Sequence, residues 1–545
     1  MGILMSTVQQ SDVVIAGGGI AAIATALELL DRGLSVTVAE RAPRERFGGL
    51  ANEAFGGMLF AGTPTQLLNG VHDGPEQFAR DWFHAAEFGA DEVWSRRWAS
   101  AYVERSVPEV HDWLRARGIG FFPVVHWVER GDFGPGNSLP RYHVVWGTGW
   151  HLAQTLIRRL EDHPARAKFS LLFGHRVTDL LWDQGRVSGR RCVNGVGEVE
   201  LQAGATVLAA GGINGNLAKV REVWDRDCYG GPPALLLNGS DPDSDGALHE
   251  RVSALGGRVV RLGQMWNYAS GVRHPEPRFP DHGLSLIPPR SALWLDSSGR
   301  RVGPDPMISG FDTHRLCKRM GRLPGQYGWL LLNRRIFVHE MAVSGSHINP
   351  HFRDRHFLRA VAEVALGNSR LYDYLVGGCP DVVTAVTLPA LAEKMRGLAP
   401  ETAIDLDGMQ ADVAAYDGQI GRGVTFHNDD QLRRIATLRR WRGDRARTLR
   451  FQRIVDDGAL PLVAVRVMLL SRKSMGGMET DLHSRVLDQM GDAIPGLYAA
   501  GEACGFGGGG IAGRRSLEGT FLSCAIFNGR VAARAIAGVA NPTQA

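Results

Sequence analysis

The stretch Asp12-Val13-Val14-Ile15-Ala16-Gly17-Gly18-Gly19-Ile20-Ala21-Ala22, followed by Leu34-Ser35-Val36-Thr37-Val38-Ala39-Glu40, decides how the chain folds. A short apolar run enters a glycine turn, an apolar helix runs on to Leu30, Arg32-Gly33 ends it, and a second apolar strand closes on an acid. This is G-x-G-x-x-A in a strand–turn–helix–strand frame, with the acid about 20 residues further on, the pattern of a dinucleotide site. Gly17 permits the tight turn, and Gly19 lets the backbone approach a pyrophosphate. Ala22 lets helix and strand pack closely. The helix N-terminus offers unpaired N–H groups and a positive dipole end to that pyrophosphate. Glu40 is placed to bind a ribose hydroxyl, and Arg41, next in sequence, joins the cofactor-binding set.

Outward from that motif, glycine recurs at Gly48-Gly49 and Gly56-Gly57. A helical region is expected from about Pro75 to Gly118, and a further helix over Leu152–Leu160. Strands then alternate through His175-Arg176-Val177 and Val187–Val193 to Ala205-Thr206-Val207-Leu208-Ala209-Ala210-Gly211-Gly212. From about Trp224 to Asp444 the pattern is irregular and rich in Pro, His and Arg, which predicts a second domain inserted into the first. Short apolar strands return at Leu460–Leu470. The chain closes with Gly496-Leu497-Tyr498-Ala499-Ala500-Gly501-Glu502 and a final helix from about Gly519 to Ala537. The expected division is 1–223 and 445–545 for the nucleotide-binding domain and 224–444 for the inserted cap. The basic run Arg433–Arg453, interrupted by Asp444, reads as a solvated face or an interdomain strap.

Composition agrees with a globular α/β protein. Glycine is 69 of 545 residues, nearly twice the usual ~7%. Without a G-X-Y period, that surplus belongs in turns and close backbone approaches. A net charge of +4 gives no nucleic-acid footprint. The six cysteines show neither CxxC nor metal-ligand spacing, so a disulfide framework, a zinc site and an iron–sulfur cluster are excluded and no metal is expected. The apolar stretch Val13–Leu30 is broken by glycines and Glu28, which excludes a membrane span. The early start of the first strand leaves no room for a secretory leader, and a cytoplasmic protein of open oligomeric state is expected.

Three motifs in order, the opening fingerprint, Ala209-Ala210-Gly211-Gly212 and Gly496 to Glu502, resemble the flavoprotein superfamily of fumarate reductase, succinate dehydrogenase and 3-ketosteroid Δ1-dehydrogenase. The resemblance covers nearly the whole chain. It implies an α/β fold with an α+β cap: a split Rossmann-like FAD-binding domain with an inserted cap/substrate domain. It also implies FAD held by Gly17, Gly19, Ala22, Glu40, Arg41, Gly49, Val177, Ala210, Gly211, Glu502, Gly519 and Leu522. The late helix would aim its N-terminus, near Gly519 to Leu522, at the flavin. Membrane-bound members attach FAD through a histidine after the early glycine pair. Here residues Gly49 to Gly56 contain none, so non-covalent FAD is expected.

The departures redirect the chemistry. Lys473-Ser474-Met475-Gly476-Gly477 stands where fumarate reductases have His-Thr-Met-Gly-Gly, and Ser516 stands where they have their carboxylate-binding arginine. The tyrosine of the ketosteroid enzymes' Tyr-Pro-Gly-x-Gly stretch falls on Arg515, although its last glycine matches Gly519. The resemblance therefore points to the broad group of FAD-binding dehydrogenases related to the ketosteroid enzymes. Desaturating a ketone needs a donor on the carbonyl, a base for the α-proton and a flavin for the β-hydride. Gly519 N–H is the candidate donor. Tyr268 and Tyr142 are the candidate bases, each needing a nearby cation because phenols ionise near pH 10. Lys473, one of only five lysines, and Arg515 could supply it, with Arg472, Arg514, Ser516 and His143 as substrate contacts. Glu518 would lie near the cofactor, but a helix N-terminal acid needs no catalytic role. Two other readings stand beside this one: an ene-reductase of an unsaturated carboxylate or enone, and an electron-transfer flavoprotein subunit. With a single nucleotide fingerprint, a small-molecule substrate and an external electron acceptor are expected.

Overall fold

The computed structural model describes residues 8–538. The reading of the chain start as leaving no room for a leader falls mainly on residues 1–7, outside the described residues. The strand Val8–Ala16 lies between Val36–Glu40 and Glu198–Leu208, parallel to both. Phe169–Phe173 and Ala493–Ala499 extend the parallel sheet on either side. Parallel strands covered on both faces read as continuous apolar runs. Val13, Val14 and Ile15 are accordingly fully buried. An antiparallel pair, Arg176–Asp183 and Arg186–Val193, joins the same sheet through Glu198–Leu208.

Helix Ile20–Asp31 packs against the last long helix, Phe521–Ile536. A Cβ on Gly529 would sit 2.6 Å from the Ala21 carbonyl oxygen, so only glycine allows this approach. Thr25 Oγ1 uses the closeness to donate to the Gly529 carbonyl at 3.0 Å. The two ends of the chain thus complete one nucleotide-binding unit, and the fold is the split α/β architecture with an inserted cap.

The second sheet is mainly antiparallel, with Leu462–Ser474 in its middle. Tyr327–Asn333 and Met265–Arg273 flank it. The strand Leu462–Ser474, which the expected division gives to the returning nucleotide-binding segment, is thus the centre of this second sheet. Its Leu462–Leu470 stretch is apolar but for Arg466, and such a run carries no periodicity that says which sheet it joins. The basic run straps the units together. Trp441 Nε1 donates to the Val125 carbonyl at 3.0 Å, Asp444 pairs with Arg130 and Arg290, and Arg434 pairs with Asp132 at 2.6 Å.

Candidate active site

A long cleft between the two sheets is lined by two groups of residues. The first comes from the opening turn and its neighbours. Gly17 has φ +94, and a Cβ there would meet the Ala209 carbonyl oxygen at 2.5 Å. Gly19 differs: a Cβ there would meet no atom within 4 Å, so the turn opens onto free space in the cleft. Glu40 ends its strand with the carboxylate held by backbone donors. The Ala42 N–H reaches Oε1 at 2.7 Å and the Gly18 N–H reaches Oε2. Burial raises its pKa and these two donors oppose the rise. Gly49, Val177, Ala210, Gly211, Glu502 and Leu522 line the same cleft. Glu502 accepts the Ser474 N–H at 2.8 Å, and burial lifts its pKa to about 7. Arg41 also lines the cleft, but it is engaged with Asp243 at 3.0 Å and Asp245 at 2.8 Å, which line it too. Ala22 is wholly buried and does not line the cleft; its role is helix–strand packing.

This arrangement fits FAD. An open turn at a helix N-terminus, a fixed carboxylate at the end of the second strand and a second helix N-terminus at Phe521 all border one continuous space.

The second group gathers side chains from distant parts of the chain. Trp266 lies opposite Lys473 in the antiparallel register of the cap sheet. Trp266 Nε1 and the Tyr268 hydroxyl both donate to Glu518 Oε2, each at 2.8 Å. The Lys473 ammonium sits 4.0 Å from the centroid of the Phe521 ring. Burial pulls its pKa down to about 8, against the pull of Glu518. Gly519 has φ +102, and a Cβ there would meet the Tyr142 ring at 2.8 Å. Tyr142 lies still closer over Gly57, where a Cβ would fall 1.9 Å from its ring and hydroxyl, so both positions carry glycine.

The structure corrects several expectations at this end. Burial, followed by the charge of Glu518, raises the pKa of both Tyr142 and Tyr268, so neither phenol is set up as an ionised base. Arg515 does not line the cleft; its guanidinium pairs with Asp312 at 3.0 Å. Arg514 is exposed and outside the cleft. Ser516 is buried, with Oγ 3.3 Å from Thr520 Oγ1, and also lies outside it. His143 is bound between Thr63 Oγ1 at 2.8 Å and the Arg141 carbonyl at 2.7 Å, and burial drops its pKa to about 3. Asp312 and Thr63, the partners of Arg515 and His143, come from segments remote in sequence, which local motifs do not show. Sequence reasoning assigned no role to Glu518, Trp266 or Phe521. The available signal was an acid beside the glycine that precedes the flavin-facing helix.

Fold and cleft together define an FAD-dependent oxidoreductase. The chain belongs to the FAD binding domain family, which matches residues 12–522. It is 38% identical over 532 residues to a KsdD-like steroid dehydrogenase of Mycolicibacterium smegmatis, covering 94% of this chain and 96% of that protein. A KsdD-like steroid dehydrogenase of Mycobacterium tuberculosis is 37% identical over 552 residues, covering 97% and 96%. In fold, the chain is similar to a 3-ketosteroid Δ1-dehydrogenase from Sterolibacterium denitrificans, with TM-score 0.68, 17% identity and coverage of 97% and 100%. It is also similar to a flavocytochrome c3 fumarate reductase, with TM-score 0.69, 19% identity and coverage of 97% and 78%. The protein is an FAD-dependent dehydrogenase. Among the described residues no helix is long and apolar enough to cross a membrane.

Proposed function

We propose that the protein introduces a C=C bond next to the carbonyl of a cyclic or steroid-like ketone, using non-covalently held FAD. The carrying observation is the convergence of Lys473 and Gly519 at the N-terminus of helix Phe521–Ile536, inside the cleft that fits FAD. The two KsdD-like relatives support the substrate class. When bound, FAD supplies flavin N5 as hydride acceptor. The protein's part is electrostatic: the Lys473 ammonium and the Gly519 N–H polarise the carbonyl oxygen, and the unpaired N–H groups of the helix's first turn add a positive end. Tyr142 and Phe521 supply apolar ring surface that excludes water. In this reading residues 1–223 and 475–545 hold the cofactor, and residues 224–474 cover it. An external acceptor takes the electrons. The six cysteines are buried free thiols, which suits a reducing cytoplasm.

One observation favours the ene-reductase reading. Arg472 is buried, lines the cleft and forms no ion pair among the described residues, so it suits a substrate carboxylate. Anaerobic flavin absorbance separates the two. Saturated 3-ketosteroids should bleach the oxidised enzyme. If only the dithionite-reduced enzyme responds, and an unsaturated acid or enone reoxidises it, the dehydrogenase reading is overturned.

A further inference from the structure

We propose that Glu518 is the base that takes the substrate's α-proton, and that Tyr268 and Trp266 position it; this rests on the ketone reading above. The argument is one of unequal carboxylate oxygens. Both donors converge on Oε2 at 2.8 Å, while Oε1 accepts no hydrogen bond from a described residue. Glu518 lines the cleft, so Oε1 is the oxygen left for a ligand. Two donors on one oxygen fix the rotamer of a flexible side chain, which is what a base needs to meet a C–H bond at hydrogen-bond reach.

The other acids of the cleft are otherwise engaged. Glu40 and Glu502 are held by backbone N–H groups. Asp241, Asp243 and Asp245 are paired with Arg46 and Arg41, and Glu250 with Lys219. Among the described residues the side chains that hydrogen-bond Glu518 are a phenol and an indole, both neutral donors brought from the cap strand Met265–Arg273. The step balances without a further reactant. The α C–H bond breaks, its proton forms an O–H bond at Oε1, and the electron pair moves into an enolate. The Lys473 ammonium and the Gly519 N–H hold the enolate oxygen. Tyr268 is then a positioning residue, which accounts for its protonated phenol.

The test follows α-hydrogen exchange in D2O by NMR, with the oxidised holoenzyme under anaerobic conditions. The probe is a cyclic ketone whose β-carbon carries no hydrogen, so exchange proceeds and desaturation does not. E518Q should slow exchange by about 10²- to 10⁴-fold. FAD content and the ketone-induced flavin spectral shift should stay as in the wild type. E518D should recover part of the rate, and Y268F should fall between wild type and E518Q. Exchange by E518Q at the wild-type rate overturns the assignment, as does a wild-type enzyme that desaturates ketones yet exchanges no α-hydrogen. If E518Q does not retain FAD, E518A reconstituted with FAD decides the matter, and wild-type exchange by that variant overturns the proposal. A wild-type enzyme that neither exchanges nor desaturates overturns the ketone reading, and the base assignment with it.

Discussion

The two ends of the cleft are built on different principles. At the opening turn the cofactor site is made of backbone, with Gly17, Gly19 and a carboxylate fixed by the N–H groups of Gly18 and Ala42. All of it lies within thirty residues of sequence. At the other end the site is made chiefly of side chains, with the Gly519 N–H as the backbone's share. Trp266 and Tyr268 come from one cap strand, Lys473 from its neighbour, and Glu518 and Gly519 from the segment before the last helix. Backbone sites depend on conformation and fail when conformation fails. Side-chain sites lose chemistry while the scaffold stays intact.

The largest effect should come from the backbone end. Gly17→Val places a branched side chain at φ +94, where even Cβ would meet a carbonyl oxygen at 2.5 Å. The variant should purify without flavin absorbance. A yellow protein with the wild-type flavin-to-protein ratio would break the comparison. At the side-chain end, Lys473→Met should keep FAD and lower kcat by about 10²- to 10³-fold, the usual cost of losing one oxyanion donor. Loss of flavin in that variant would show that Lys473 serves the scaffold.

Arg515→Ala sharpens the same distinction from outside the cleft. Its ion pair with Asp312 is nearly closed to solvent, with side chains 8% and 7% exposed. Removing one partner leaves a buried charge and should cost about 3 kcal/mol of stability. Once FAD is saturating, kcat should change by less than about threefold. Urea unfolding and steady-state rates on the same preparation check both numbers. A large fall in kcat with unchanged stability would return Arg515 to the site.

The same division explains what was readable in the sequence. The nucleotide-binding end was legible because a turn, a helix start and a strand end are local, and glycine at fixed spacing reports them directly. Gly17, Gly19, Glu40, Ala210 and Gly211 all line the cleft. Lys473, notable for its scarcity and its place in a motif, also lines the cleft. Glu518 was not given a role, because its meaning depends on Trp266 and Tyr268, some 250 residues away. Arg515, Ser516 and His143 failed for the complementary reason. Arg515 and Ser516 hold motif positions and His143 adjoins Tyr142, but Asp312, Thr520 and Thr63 bind them outside the cleft. Which sheet Leu462–Ser474 joins was not legible, because its Leu462–Leu470 stretch, apolar but for Arg466, shows no period.

The smallest effect is the one that tests the electrostatics most directly. The Lys473 pKa is held at about 8, below its ordinary 10.5, because burial disfavours the ammonium. If the ammonium polarises the carbonyl, kcat should fall as pH rises through about 8. Between pH 7 and 9 the charged fraction drops about tenfold, and so should the rate. Lys473→Arg should flatten that limb, whatever its absolute rate, because guanidinium stays charged throughout. Unfolding linked to this group cannot imitate the limb. From about pH 8 to 10.5 the unfolded chain binds more protons at Lys473 than the native one, so this residue makes the fold more stable as pH rises. A rate that falls while the unfolding midpoint holds or climbs is the signature of a lysine acting on the carbonyl. A rate that stays level to pH 9.5 assigns the polarisation to Gly519 and the helix N-terminus alone.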